Sequence, residues 1–93
     1  KVGLPEEPSS RNLQDLTMDT LLVYASIIRH ENLSVAEMVR TTEVSEGLVR
    51  QARKVGVERK FLEPFKGGRY RVSPTWQYVL TSYLMNKNLL NVR

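Results

Sequence analysis

The chain has 93 residues, enough for one small domain with a modest core, and its 41% hydrophobic and 26% charged residues are ordinary for a globular protein. Cysteine is absent and His30 is the only histidine, which excludes disulfides, thiolate metal sites and zinc sites built from several histidines. The formal net charge is +4, and the sequence contains no run of eighteen apolar residues that would span a membrane.

The N-terminal residues 1–14 are predicted to form a flexible linker or arm, and the domain is predicted to occupy residues 15–93. One glycine, two prolines and two serines fall within the first twelve residues, a mixture that neither continues a helix nor fills a core. The chain begins with Lys1 rather than methionine and has no charged-then-apolar leader. We therefore expect a fragment of a longer intracellular protein, located in the cytoplasm, the nucleoid or the nucleus.

The first helix is predicted over residues 16–29, with Thr17 or Asp15 as its N-terminal cap. Its hydrophobic side chains recur at three- and four-residue spacing and form one apolar stripe, made of Met18, Leu21, Leu22, Ala25 and Ile28. A polar turn at residues 29–32 follows.

A second, short helix is predicted from a cap at Ser34 to about residue 41. Ser34 and Glu37 have the spacing of a capping box, in which each side chain accepts a hydrogen bond from the backbone amide of the other residue. Such a pair marks the beginning of a helix clearly.

The third helix is predicted from a cap at Ser45 to about residue 55, and Gly56 is expected to end it in the left-handed conformation. A helical wheel places three apolar residues on the inward side: Leu48, Ala52 and Val55. The opposite side carries the charged residues Glu46, Arg50, Arg53 and Lys54.

Two short β-like runs, residues 61–65 and 69–73, flank Gly67 and Gly68 and predict a β-hairpin. Pro64 is expected to weaken the first strand or to place it at an edge. On the second strand, alternation puts Arg69 and Arg71 on one face, and Tyr70 and Val72 on the other. Tyr70 would either anchor the hairpin to the core or expose its ring to a partner.

A last helix is predicted to begin at Ser73–Pro74, a cap followed by proline at the first helical position, and to end near residues 86–88. Its apolar stripe consists of Trp76, Val79, Leu80, Tyr83 and Leu84, and Leu89 and Leu90 follow as a docking tail.

Positive charge is concentrated in one part of the sequence. Residues 1–49 hold four basic and eight acidic residues, a net charge of −4, whereas residues 50–71 hold eight basic and two acidic residues, a net charge of +6. Such clustering is typical of surfaces that bind phosphate groups.

The predicted order is helix, helix, helix, hairpin, helix, a mainly α fold with a small β-hairpin (α+β). Over residues 16–85 this order resembles the winged helix-turn-helix superfamily. The resemblance depends on three stretches: LSVAEMV at 33–39, TTEVSEGLV at 41–49 and VGVER at 55–59.

The resemblance implies binding to double-stranded DNA, with the third helix in the major groove and the hairpin, or wing, along the backbone or in the minor groove. The residues implied to face DNA are Ser45, Glu46, Arg50, Arg53 and Lys54 on the helix and Lys66, Arg69 and Arg71 on the wing. Gly47 departs from this pattern, because a glycine early in the recognition helix reads no base. It would either permit close approach of the backbone or indicate that the helix does not read bases.

Less specific interpretations of these cations remain open. The basic helix face would be merely solvated, with Glu46 and Arg50 forming an i,i+4 ion pair. The hairpin cations would only protect an exposed strand edge. A winged helix used for association with other proteins in a larger assembly is the alternative function.

A homodimer through the apolar surface of the last helix is also expected, unless that helix packs within its own domain. No catalytic motif, metal site or cofactor site is recognisable, so we expect no enzyme but a binding domain, either a transcription regulator or the DNA-binding part of a longer protein.

Overall fold

The computed structural model describes residues 9–30 and 33–90. Within them the chain is mainly helical with one small antiparallel sheet, an α+β arrangement. The α-helices and strands are, in chain order, α1 (Met18–Arg29), α2 (Val35–Thr42), α3 (Glu46–Glu58), β1 (Leu62–Phe65), β2 (Arg69–Val72) and α4 (Pro74–Asn86). A 3-10 helix at Ser10–Leu13 precedes α1, and a 3-10 turn at Lys66–Gly68 closes the hairpin.

Side-chain caps begin the first three helices where the sequence predicts them. The Thr17 hydroxyl accepts a hydrogen bond from the Thr20 amide at 3.2 Å, so Thr17 rather than Asp15 is the cap of α1. At α2, the Ser34 amide donates to Glu37 Oε1 at 2.8 Å and the Glu37 amide donates to Ser34 Oγ at 3.2 Å, the predicted capping box. The Ser45 hydroxyl caps α3. Each such cap is worth about 1 kcal/mol.

The core lies between α1, α3, α4 and the hairpin, and aromatic rings connect these elements. The Tyr24 hydroxyl on α1 donates a hydrogen bond to the Ala52 carbonyl on α3 at 2.8 Å. Phe61 meets the ring of Tyr24 edge-on at 6.1 Å between centroids and that of Trp76 at 4.5 Å. Tyr24 and Phe61 are almost completely buried. Burial raises the pKa of Tyr24, so its hydroxyl remains a hydrogen-bond donor.

The apolar stripe of α1 differs from the predicted one. Val23, Tyr24 and Ile27 are buried together with Leu21 and Ala25, while Met18 is 53% exposed. The reason is that α2, α3, α4 and β2 all contact α1, so that more than one face of this helix is covered. A one-sided periodicity describes a helix on the surface of a core, and α1 lies inside it.

The predicted end of α3 at Gly56 is wrong, because the helix continues to Glu58 and Gly56 is helical and buried. A Cβ atom at this position would lie 2.6 Å from Leu62 Cδ1 and 3.1 Å from the Tyr24 hydroxyl oxygen. Glycine therefore allows close packing here rather than a left-handed turn. Lys60, with φ of 70°, is the residue that takes the left-handed conformation after the helix.

The inward face of α3 is also rotated from the prediction. Val49, Ala52 and Gly56 are buried, whereas Leu48 is 42% exposed and Val55 is half-buried. Small residues on the inward face let α3 lie close to α1 and β1.

The residues just before α1 are packed, although the sequence places them in the linker. Leu13 in the 3-10 helix is fully buried, and this segment contacts α4. Arg59 at the end of α3 donates to both carboxylate oxygens of Asp15, at 2.6 and 3.0 Å, and to the Asn12 carbonyl at 3.3 Å. The rest of the predicted linker, residues 1–8, lies outside the described residues.

The apolar stripe of α4 packs inside its own domain. Leu80 and Leu84 are fully buried, and Trp76, Val79 and Tyr83 pack against the core. Leu90 is buried as well, which agrees with a docking tail. In the part of the chain that the structure describes, no helix is long and apolar enough to cross a lipid bilayer.

Candidate functional site

An open groove of about 360 Å³ lies between α3 and the hairpin. Its lining consists of Arg50, Arg53, Lys54, Val57, Glu58 and Tyr70. The three predicted cations of α3 thus share one surface with the second strand of the hairpin. A further opening along the same helix is lined by Arg50, Gln51, Lys54, Val55 and Glu58. We call the surface formed by these two openings the α3–hairpin groove.

Arg53 connects the two sides of the α3–hairpin groove. Its guanidinium carbon lies 4.4 Å from the centre of the Tyr70 ring, and Nη2 donates a hydrogen bond to the Gly68 carbonyl at 2.9 Å. The Nε atom is buried and has no hydrogen-bond partner. Tyr70 is half-buried beneath this cation and packs against the core, so it anchors the hairpin to the domain.

Arg50 and Glu46 form the i,i+4 ion pair that the solvated-face interpretation predicts. Arg50 Nε and Nη2 donate to Glu46 Oε2 at 2.9 and 2.7 Å. Both side chains are more than 60% exposed, so water and salt screen the pair and its contribution to stability is small. Arg50 can therefore exchange this partner for another anion at little cost.

Lys54 and Lys66 are exposed, and neither forms an ion pair with a described residue. Lys54 lines the α3–hairpin groove, and Lys66 begins the turn of the hairpin. The hydroxyl of Ser45, another predicted contact, accepts a hydrogen bond from the Leu48 amide and thereby caps α3.

Arg69 and Arg71 lie on the other face of β2, because successive residues of a strand alternate and Tyr70 lies against α3. Arg71 donates to Glu63 Oε2 at 2.8 Å across the ladder, where the two residues are paired, and its guanidinium lies 5.0 Å from the Phe65 ring centre. A Cβ atom at Gly67 would lie 2.9 Å from Arg69 Nη1, which places this guanidinium beside the turn.

Arg69 is also close to α2. The pKa of Glu37 is lowered, first by the hydrogen bonds from Ser34 and additionally by the charges of Arg69 and Arg40. The structure thus brings Arg50, Arg53 and Lys54 together and directs the hairpin arginines elsewhere. Sequence reasoning missed the contact of Tyr70 with Arg53, although the alternation along β2 already put Tyr70 on the face opposite the arginines.

Gly47 lies in the exposed first turn of α3, and a Cβ atom there would meet nothing within 4 Å. Neither packing nor a positive φ requires glycine at this position. Gly56, nine residues further along the same helix, is by contrast tightly packed.

No family model matches the chain, and comparisons with curated proteins and with solved structures give no match either. Within residues 9–30 and 33–90, no three His, Asp or Glu side chains come together as ligands for a metal ion. A functional assignment therefore depends on the chemistry of the α3–hairpin groove.

Proposed function

We propose that the chain is a winged-helix domain that binds double-stranded DNA through the α3–hairpin groove, as a regulator of transcription or as the DNA-binding part of a longer intracellular protein. The observation that carries the proposal is the grouping of Arg50, Arg53 and Lys54 on one open surface beside the hairpin. Exposed cations on an open surface supply the positive charge that attracts the phosphates of a duplex.

The arrangement of α2 and α3 supports this proposal. Glu43 ends α2 in the left-handed conformation with φ of 62°, and Ser45 caps α3 two residues later, so that a tight turn joins the two helices. The buried Val44 holds this turn against the core. At thirteen residues, α3 is about 20 Å long, a size that the major groove of B-form DNA admits.

The charges on this surface set the expected strength of binding. Each phosphate that a lysine or arginine neutralises releases condensed counterions, which gives a salt slope of about −0.9 per contact. Arg50 and Lys54 are the exposed cations that line the groove, and Lys66 is an exposed cation of the hairpin turn. Glu46 and Glu58 reduce the positive potential there. With three such contacts, affinity falls about 40-fold between 50 and 200 mM salt.

Fluorescence anisotropy with a labelled duplex, measured at these two salt concentrations, tests the proposal. Lys54→Glu is expected to weaken binding at least fivefold and to make the salt dependence less steep, because it removes a phosphate contact and adds a negative charge. Lys87→Glu, at the C-terminal cap of α4, makes the same change of charge and should leave binding close to that of the wild type. Absence of binding at 50 mM salt and micromolar protein overturns the proposal.

The second candidate function is association with another protein in a larger assembly. It is favoured by α4, which contains no charged residue and leaves Tyr78 81% exposed. Depletion of charge together with exposed tyrosine is typical of protein interfaces. Charge reversal of the exposed Arg50 and Lys54 to glutamate separates the two functions. Unchanged DNA binding together with failure to capture the parent complex would assign the groove to a protein partner.

A homodimer through the C-terminal helix stays a prediction, and less apolar surface is available for it than the sequence suggests. The apolar stripe expected to form the dimer already packs inside the domain, so that pairing would have to use the outward side of α4, around Tyr78 and Met85. Analytical ultracentrifugation tests this point, and a single species near 10.7 kDa at high concentration contradicts the dimer.

A further inference from the structure

We infer that Arg53 is a positioning residue that fixes the hairpin on α3 before any partner binds, rather than one of the residues that contact DNA. This inference rests on the proposed function only in naming DNA as the partner, since the contacts involved belong to the unbound chain. Arg53, Tyr70 and Gly68 are called the Arg53 clamp below.

The guanidinium of Arg53 is already engaged on several sides. It lies over the Tyr70 ring at 4.4 Å, and Nη2 donates to the Gly68 carbonyl at 2.9 Å. Its Nε is buried, whereas Arg50 and Lys54 on the same helix are exposed. A cation held in this way has little surface left for a phosphate, and moving it would remove a contact from the hairpin.

The hairpin needs such a contact because its own ladder is weak. Each strand has four residues, and isolated two-stranded hairpins of this size are only marginally stable. The turn contains two consecutive residues with positive φ, Gly67 at 69° and Gly68 at 73°, and glycine there is conformationally permissive.

Arginine suits this position better than lysine would. Its planar guanidinium stacks on an aromatic ring while its N–H groups donate at the edge, and the compact ammonium of lysine cannot do both. By holding the Gly68 carbonyl, Arg53 fixes the turn at the point where Lys66 projects. A hairpin ordered in advance lowers the conformational entropy lost on binding.

The experiment compares Arg53→Lys with Arg50→Lys, the same substitution one turn earlier on α3. The readout is the ¹⁵N order parameters of the Gly67 and Gly68 amides in the DNA-free protein. In Arg53→Lys these are expected to fall from about 0.85 to below about 0.6, and in Arg50→Lys to stay at the wild-type value. A hairpin as rigid in Arg53→Lys as in the wild type overturns the inference.

A second variant guards against a general loss of structure. Tyr70→Leu keeps Arg53 and removes the ring beneath it, and it should loosen the same two amides while the amides of α1 keep wild-type order parameters. If Tyr70→Leu leaves the turn rigid, the ring does not hold the hairpin and the clamp is wrong.

DNA titrations of the same variants distinguish this inference from the proposed function. Arg53→Lys should weaken affinity about two- to fivefold, the effect of losing a cation–π contact, with an unchanged salt slope. Arg50→Lys should stay within about twofold, because lysine still neutralises a phosphate. Equal, small losses in both variants would identify Arg53 as an ordinary phosphate contact. If even the wild type binds no DNA, the proposed function fails, and the order parameters still decide the role of Arg53.

Discussion

Helices α3 and α4 have the same length of thirteen residues but opposite distributions of chemistry. Helix α3 carries five charged residues and buries only small or medium side chains, namely Val49, Ala52 and Gly56. Helix α4 carries no charge and buries Leu80 and Leu84 with Trp76 packed beside them. Helix α4 thus places large apolar side chains in the core, whereas the outward side of α3 presents charge. The two helices therefore differ in their contributions: α4 supplies apolar packing and α3 supplies exposed charge.

The largest expected effect tests this difference between α3 and α4 through the free energy of unfolding. Leu84→Ala removes a fully buried side chain and leaves a cavity, so we expect it to lower the free energy of unfolding by about 2–5 kcal/mol. Lys54→Ala on the exposed side of α3 should change it by less than about 0.5 kcal/mol and act on DNA affinity instead. Urea denaturation of both variants measures the difference. Similar losses in the two variants would contradict this difference between the helices.

The two glycines of α3 give the next largest effect, with opposite signs from the same substitution. Gly56→Ala should destabilise the domain by about 1–3 kcal/mol, because the new methyl group lies 2.6 Å from Leu62, which is itself buried. Gly47→Ala should stabilise it by about 0.5–1 kcal/mol, because the methyl group enters open space and alanine favours the helix. Thermal unfolding measures the change in stability of both variants. If both changes have the same sign, contact with Leu62 does not require glycine at position 56.

These two glycines also mark the limit of what the sequence predicts. Local signals were sufficient for the starts of the helices, because a cap such as Ser34 with Glu37, or Ser45, is satisfied by backbone groups of its own first turn. The predicted end of α3 was wrong because Gly56 packs against Leu62 of β1 and Tyr24 of α1, and both residues lie outside α3. A helical wheel shows only the residues of one helix and therefore cannot predict that contact.

The candidate site likewise has some features that the sequence predicts and others that it does not. The grouping of Arg50, Arg53 and Lys54 follows from helical periodicity alone, so the sequence places all three correctly on one surface. The separate roles of these cations depend on how the hairpin docks against α3, which periodicity does not describe. Arg71 illustrates this point, because its pairing with Glu63 requires the register of the two strands.

A smaller effect tests the exposed charge of α3 directly. Glu46→Gln removes the partner of Arg50 and one negative charge beside the α3–hairpin groove. We expect DNA affinity to rise about twofold, the scale of an exposed ion pair, and the stability to fall by only a few tenths of a kcal/mol as the acid of the first turn is lost. Anisotropy at 50 mM salt measures the affinity. Weaker binding in Glu46→Gln would mean that the ion pair organises the surface instead of masking it.

The smallest expected effect concerns Arg59. This cation belongs to the basic segment of residues 50–71, but its guanidinium binds Asp15 within the same domain. Arg59 lowers the pKa of Asp15 through hydrogen bonds and charge. A carboxyl whose pKa is lower in the folded chain contributes stability above its unfolded pKa, near 4, and loses that contribution as the pH falls through the folded value. Asp15→Asn abolishes this titration, so its stability should decline less steeply than that of the wild type between pH 5 and pH 2.

Urea midpoints at several pH values measure this decline, and Arg59→Met should flatten it as Asp15→Asn does, because it removes the same contact from the other side. Lys60→Met is the matched control, since Lys60 neighbours Arg59 but forms no ion pair with a described residue. Lys60→Met should keep the steepness of the wild type; if Asp15→Asn and Arg59→Met keep it as well, the ion pair between Asp15 and Arg59 contributes nothing to stability. In that event Arg59 would belong with the cations available to DNA, and the proposed interface would extend to the end of α3.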